Sequence, residues 1–176
     1  MALKSTEITI KGIAPLLMHA YPLLEMEAPQ TKTKEELAEH AAYRDPETGR
    51  LYLPGVAVGR ALISAAGYSK GKGRASLAKV AAAGLLVSPE RIDLGAKSYI
   101  IDSRWAVIPA TRGRVMRHRP RLDSWQASFT LEWDDALMSE KQARQIVDDC
   151  GARVGVLDFR PEKKGPFGRF VVTKWD

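Results

Sequence analysis

The stretch LYLPGVAVGRALISAA, residues 51–66, is the part of the sequence that decides the fold. Apolar residues come first, Pro54 and Gly55 follow, and a mostly small and apolar run then extends from about Val56 to Ala66. Proline is favoured where a helix begins, because its fixed φ suits the first turn and its missing N–H has no helical partner there. This stretch therefore predicts a short strand that leads directly into an apolar helix.

On the N-terminal side of this stretch, residues 6–17 and 31–44 predict one strand and one exposed helix. Ile8 and Ile10 alternate with polar residues up to Gly12, as expected for an opening strand. Residues 31–44 are polar helix formers preceded by a candidate N-cap, either Thr31 or Thr33.

On the C-terminal side, the pattern predicts three further groups of elements. Residues 76–89 favour a helix followed by a strand or turn, and residues 92–109 favour two short strands around Asp102 and Ser103. Residues 112–133 predict a hairpin or a bent strand pair, in which every second residue from Trp125 to Trp133 is apolar. Ser139 is expected to cap an amphipathic helix, and a last strand is expected from Arg169 to Trp175.

This order of elements predicts an α+β protein with a modified ferredoxin-like (RRM-like) βαββαβ core, a helical insertion and an extra β-hairpin. Two helices would cover one face of the sheet and leave the other face free for a ligand. We expect residues 1–176 to form a single domain, with insertions at about 20–50 and 67–122.

The charge of the chain is concentrated in two segments that contain no acidic residue. The whole chain has 27 Lys plus Arg and 21 Asp plus Glu, a net charge of +6. Residues 50–79 and 104–121 hold six basic residues each, so the remaining residues carry a net charge of −6. Clustered cations favour polyanion binding, because each neutralised phosphate releases counterions. The alternative is a solvated basic face without a ligand.

Catalytic and cofactor motifs are absent from the sequence. No phosphate-binding loop, dinucleotide fingerprint, HExxH or CxxC occurs, so we expect no cofactor and no metal site. Asp102 and Asp158 are candidate bases or metal ligands without a carboxylate neighbour in sequence. Cys150 is the one cysteine, and we expect it to be a buried, unreactive thiol. No run of 18 apolar residues and no signal peptide is evident, which predicts a cytoplasmic protein without membrane contact.

Histidines and aromatic residues supply the remaining candidate functional groups. His19 follows the first predicted strand and is a weak candidate for a general acid or base, whereas His118 is interpreted as a contact residue and His40 as solvated. Tyr68, Phe159 and Phe167 lie in glycine-containing loops, where they either stack on bases or pack. The four tryptophans, Trp105, Trp125, Trp133 and Trp175, are expected in the core.

Two motifs resemble the RAMP superfamily, the RNA-recognition-like proteins of CRISPR effector complexes. LYLPGVAVGRALISAA is similar to the family's IPGSSLKGALR strand-to-helix motif, although Val56, Ala57, Val58 and Gly59 replace its Ser-Ser-Leu-Lys. GVLDFRPEKKGPFGRFVV resembles the family's C-terminal glycine-rich loop, interrupted here by Pro161 and Pro166. The ending also resembles small phage and prophage proteins. The resemblance implies a RAMP-like domain that binds nucleic acid and self-assembles, as CRISPR backbone subunits do.

We therefore expect a nucleic-acid-binding protein that holds single-stranded RNA or DNA by its backbone, more as a binder than as an enzyme. Partners would be further copies in an oligomer or filament, and other effector-complex subunits. Two alternatives stay open: a metal-independent endoribonuclease that uses His19, and a phage-encoded protein-binding module that mimics a CRISPR subunit. The expected phosphate contacts are Arg60, Lys70, Lys72, Arg74, Arg112, Arg114, Arg117, Arg119, Arg121, Lys163, Lys164 and Arg169.

Overall fold

The computed structural model describes residues 3–21, 32–70 and 76–176. Within these ranges the strands are β1 (Leu3–Gly12), β2 (Leu16–Leu17), β3 (Tyr52–Pro54), β4 (Leu85–Ser88), β5 (Arg91–Asp93), β6 (Ile100–Val107), β7 (Arg114–Leu122), β8 (Gln126–Asp134) and β9 (Phe170–Trp175). The helices are α1 (Lys34–His40), α2 (Gly55–Ala66), α3 (Ala78–Gly84) and α4 (Glu140–Asp149). A π-helical turn at Cys150–Val154 and a 3-10 turn at Pro161–Lys163 follow α4.

The main sheet confirms the ferredoxin-like plan. Its four strands lie in the order β4-β8-β1-β9, and each neighbouring pair is antiparallel. Along the chain, the core elements are β1, α2, β4, β8, α4 and β9, which is the βαββαβ order. The stretch 67–122, expected to be an insertion, contains the core strand β4. Only the elements before and after β4 in that stretch, α3 and β5 to β7, are additions to the core.

One face of the main sheet is buried under α2 and α4. Alternate residues of β1 and β8, including Ile8, Ile10 and Leu131, are fully buried on this face. Leu62 of α2 and Ile146 of α4 belong to the same core cluster and are also fully buried. Burying each such side chain contributes roughly 1.5–3 kcal/mol, so this layer stabilises the fold.

Local signals place the N-terminal ends of α1 and α4 as predicted. Thr33 caps α1 and Ser139 caps α4, and each forms a capping box with the residue three positions later. Helix α4 continues into the π-helical turn, and Gly155 ends it with a φ of 72°.

The extra hairpin is β6–β7, which differs from the predicted position. β6 is continuous through Asp102 and Ser103, so the prediction of two short strands there was wrong. β7 pairs with β6 and β2, whereas β8 pairs with β1 and β4, so residues 112–133 do not form a hairpin with each other. Helix α1 packs on β7 and completes a second layer beside the core.

The uncovered face of the main sheet is polar and carries both signs of charge. Ser5 and Glu7 of β1 lie opposite Glu132 and Thr130 of β8 on this face. Because carboxylates repel a polyanion, this face is a poor phosphate-binding surface, and the basic segments lie elsewhere. Across the described ranges, every helix is too short or too polar to cross a bilayer.

Candidate nucleic-acid interface

A cleft of about 390 Å³ opens at the N-terminal end of α2. Polar side chains from four segments line it: His19, Tyr43, Arg60, Asp158 and Arg160. The first turn of α2 also lines the cleft through Val56 and Ala57, and no side chain caps that turn. The uncapped N–H groups and the positive end of the helix dipole favour an anion there.

Asp158 is held in the cleft by an unusual backbone and by a buried arginine. Its neighbours Leu157 and Phe159 both have left-handed φ values, 62° and 47°, which cost of order 1 kcal/mol each in residues with a side chain. The Asp158 amide donates to the Leu17 carbonyl at 3.0 Å, and its carboxylate accepts from the guanidinium of Arg119, which is 7% exposed. These two contacts hold Asp158 in place at the cleft.

His19 lies beside this pair and favours its neutral form. Burial lowers the pKa of His19 below its ordinary value, the Asp158 carboxylate opposes that shift, and the nearby Arg117 and Arg119 reinforce it. Its Nδ1 atom is buried and has no hydrogen-bond partner within the described residues. A neutral imidazole can accept a proton at one ring nitrogen, so His19 is equipped to bind or relay a proton at the cleft wall.

A larger groove of about 700 Å³ adjoins the cleft at His19, which lines both. It runs between α1 and the β6–β7 hairpin, and its described lining contains no Asp or Glu. All three histidines of the chain line it, together with Arg114 and Arg117. We call the cleft and the groove together the basic track.

Two of the expected phosphate contacts, Arg119 and Arg121, are instead engaged in ion pairs, as is the nearby Arg104. Arg104 binds the buried Asp102 at 2.6 Å, and Arg121 binds Asp102 at 3.2 Å and Asp123 at 2.7 Å. Arg119 is paired with Asp158. These arginines share the face of the hairpin that packs against the loop 155–168, where Arg104 also lies 4.8 Å from the ring centroid of Phe167. Their charges are already neutralised and serve the fold.

The other expected contacts divide into three groups. Six are exposed and take no part in the ion pairs of the described residues: Arg60, Arg112, Arg114, Arg117, Lys163 and Lys164. Arg60 lines the cleft, and Arg114 and Arg117 line the groove. Arg112 and the two lysines lie two to four residues along the chain from a lining residue. Lys70 is exposed at the opposite end of α2, and Arg169 donates to the Ala152 carbonyl at 3.1 Å. Lys72 and Arg74 lie outside the described residues.

The aromatic residues also differ from expectation. Trp105 is 65% exposed on the hairpin and lines the groove, so the prediction that it is a core residue was wrong. Phe167 is only 4% exposed and is unavailable for stacking on a base. Trp125 and Trp133 are buried as expected.

The glycines of the C-terminal loop are required by packing within the protein. A Cβ at Gly165 would lie 1.8 Å from the Phe159 carbonyl oxygen, and one at Gly168 would lie 2.0 Å from that of Val156. Gly168 also has a φ of 75°. The loop therefore folds closely on itself and presents Asp158 and Arg160 to the cleft.

Sequence reasoning missed three features of the site. Tyr43 lies in a segment that was predicted only as a polar helix. Arg160 was not predicted to be a site residue. The convergence of the histidines could not be inferred, because His19, His40 and His118 are far apart in sequence. The DFRP motif was the one local signal for the site, because it places Arg160 two residues from Asp158.

Comparison with known proteins shows the fold. No family model matches the chain, and no curated protein matches it. A chain in the cryo-EM structure of the Type III-B Cmr-beta bound to cognate target RNA is similar, with a TM-score of 0.61 and 11% identity. The match covers 99% of this chain and 60% of that chain, so this protein spans about three fifths of its neighbour's length. The chain therefore shares the ferredoxin-like fold of that neighbour.

Proposed function

We propose that this protein binds single-stranded RNA by its backbone along the basic track. The observation that carries the proposal is that unpaired cations from α2 and from β7, Arg60, Arg114 and Arg117, line one continuous cleft and groove. Counterion release from a polyanion is cumulative only when the cations lie along a common path. The fold shared with a chain from an RNA-bound complex supports RNA as the ligand.

Each part of the basic track has a distinct role in this proposal. Arg60 and the uncapped turn of α2 bind a phosphate at the cleft. Arg114 and Arg117 on β7 are separated by about 10 Å, since a strand rises roughly 3.4 Å per residue, and they bind further phosphates. Lys163 and Lys164 extend the positive surface beside α2, to which their loop is tied by a 2.5 Å hydrogen bond from Ser64 to Glu162.

Sequence preference is weak in this proposal, because the cations are placed for phosphates and few groups are placed to hydrogen-bond base edges. Self-assembly along the strand, association with other effector-complex subunits and an origin in phage genomes stay predictions of the family resemblance.

A salt titration tests the proposal. Anisotropy of a fluorescent 30-nucleotide RNA should show affinity that falls linearly with salt on logarithmic axes, with a slope of several units. A slope near zero, or no binding at low salt, would refute RNA binding and favour an acidic protein partner instead.

A second candidate function is metal-independent RNA cleavage, and the cleft geometry favours it specifically. His19 favours its neutral form and shares the cleft with the hydroxyl of Tyr43 and the guanidinium of Arg60. In this reaction His19 would take the proton of a 2′-hydroxyl and the oxygen would attack phosphorus. The 5′ oxygen would leave with a proton from the Tyr43 hydroxyl, giving a cyclic phosphate and a free 5′-hydroxyl. Arg60 would stabilise the pentacovalent phosphate.

Incubation with labelled RNA in chelator separates the two functions. Cyclic phosphate ends that form with the native protein and not with the His19→Ala variant would establish cleavage. Binding without product in both proteins would leave the protein a binder.

A further inference from the structure

The groove has the size and chemistry of a ligand pocket, not only of a phosphate track. Its volume of about 700 Å³ falls within the 300–1,000 Å³ typical of small-molecule sites. Most of its lining is apolar or aromatic, including Trp105, Ile108 and Met116. A surface that only holds phosphates has no need for this apolar lining, so the lining requires a separate explanation.

The strand register brings an exposed aromatic ring between cationic and imidazole side chains. Trp105 of β6 lies directly opposite Met116 of β7, and Arg114 and His118 stand two residues to either side of Met116. Side chains two residues apart on a strand point to the same face, so all four belong to one face of the hairpin. Ser103 fixes the His118 ring through a contact of 2.7 Å between Oγ and Nδ1.

The opposite wall of the groove comes from α1 and from the segment after β2. Leu37 and His40 of α1 face the hairpin across the groove, and His19 closes the end that meets the cleft. Since no carboxylate lies among the described lining residues, the occupant that complements the groove has a flat apolar body and a negative charge.

We propose that the groove holds one nucleotide, with its base stacked on Trp105 and its phosphate bound by Arg114, which lies on the same face of the hairpin. Two sources have this chemistry: a free nucleotide, and one nucleotide of a bound RNA strand. The strand-borne form rests on the proposed function. It deepens that function by assigning one base to a specific pocket, while the neighbouring nucleotides are held by their phosphates alone.

A nucleotide fits these observations better than an acidic peptide does. Among the large hydrophobic residues of the described lining, Trp105 is the most exposed after Tyr21. Every base has a π-face that stacks on an aromatic ring. The Arg114 guanidinium suits a phosphate, which it can bind by paired hydrogen bonds.

The test compares strands that share a backbone and differ in bases. The native protein is titrated with a 30-nucleotide RNA, an abasic 30-mer, AMP and an oligoglutamate peptide, while affinity and tryptophan fluorescence are followed. The RNA should bind about 5- to 150-fold more tightly than the abasic strand and should quench the fluorescence, since stacking of one base on an aromatic ring contributes about 1–3 kcal/mol.

Two variants assign the effect to the groove. Trp105→Leu should abolish both the quenching and the preference for the RNA over the abasic strand. Ile100→Ala, an exposed apolar residue of the same strand outside the groove lining, should retain both.

The outcomes separate this inference from the proposed function. Equal affinity for the two strands, or a preference that survives Trp105→Leu, overturns the pocket while leaving backbone binding intact. Quenching by AMP without binding of either strand supports a free-nucleotide pocket and refutes the proposed function. Quenching by oligoglutamate but not by AMP or RNA overturns the nucleotide assignment, and no response to any probe refutes both.

Discussion

Removing three unpaired arginines from the hairpin should lower both the affinity for RNA and the salt dependence of binding. The variant is Arg112→Gln, Arg114→Gln and Arg117→Gln together, since all three side chains are exposed. Each phosphate contact on a single strand contributes about 0.7 to the slope of log affinity against log salt. The slope should therefore fall by about 2.

This change in slope sets the loss of affinity. If the two proteins bind equally near 1 M salt, where charge effects are screened, the variant should bind about 100-fold more weakly at 0.1 M, or about 2.8 kcal/mol. Anisotropy of a fluorescent 30-nucleotide RNA at five salt concentrations gives both quantities. Thermal unfolding should be nearly unchanged, because these side chains hold no carboxylate within the described part of the chain.

A matched pair of single variants isolates the role of ion pairing. Arg117→Gln and Arg121→Gln remove the same charge from the same strand face, four residues apart, but only Arg121 is bound to carboxylates. Arg117→Gln should lower the slope by about 0.7. Arg121→Gln should leave the slope almost unchanged and destabilise the fold by about 1 kcal/mol, because it removes one partner of the buried Asp102. Equal slope changes in both variants would refute the division into binding and structural arginines.

Three further predictions concern the cleft. Asp158→Ala should destabilise the protein by about 3 kcal/mol in urea denaturation, because it leaves the buried charge of Arg119 without a partner. Arg119→Met should destabilise it less, because Asp158 is about one third exposed and water can solvate its charge. Equal losses of stability in the two variants would contradict this account. The unfolding free energy should fall as pH drops below the ordinary His19 pKa of 6.5, since the folded protein takes up that proton less readily than the unfolded chain, and a pH series of denaturation curves should show a smaller fall for His19→Gln. Gly165→Ala should destabilise by about 3 kcal/mol or more, because its Cβ would meet the Phe159 carbonyl oxygen, and an unchanged melting temperature would disprove that contact.

Features set by short-range chemistry were predictable from the sequence. Thr33 and Ser139 each form a capping box with the residue three positions later, so a few neighbouring residues are enough to predict where each helix begins. The alternation from Trp125 to Trp133 specifies which face of β8 is buried. The order of these elements was enough to predict the ferredoxin-like core, because few topologies accommodate that order.

The position of the hairpin was not predictable, because residues with turn preferences occur inside its strands. Asp102 and Ser103 favour turns, yet they lie within β6, where pairing to β7 and the ion pairs of Asp102 outweigh the local preference. Pro120 similarly lies within β7, and its carbonyl accepts from the Met18 amide at 2.9 Å.

The distribution of charge between binding and structure depends on contacts that a sequence count cannot see. The acid-free segment 104–121 ends two residues short of both Asp102 and Asp123, which pair with its terminal arginines. Arg119 finds its partner 39 residues away, in a loop whose path is set by the tertiary fold. The basic excess is therefore only partly available to a ligand.

The measurement that tests the central claim most directly is hydrogen–deuterium exchange of the full chain with and without a 30-nucleotide RNA. If the RNA lies along the basic track, amide protection should increase in the first turn of α2, in residues 112–118 and in the loop 160–165. The amides of the main-sheet strands, β1 and β8 among them, should exchange at the same rate in both samples. Protection confined to that sheet, or no change at saturating RNA, would contradict the account.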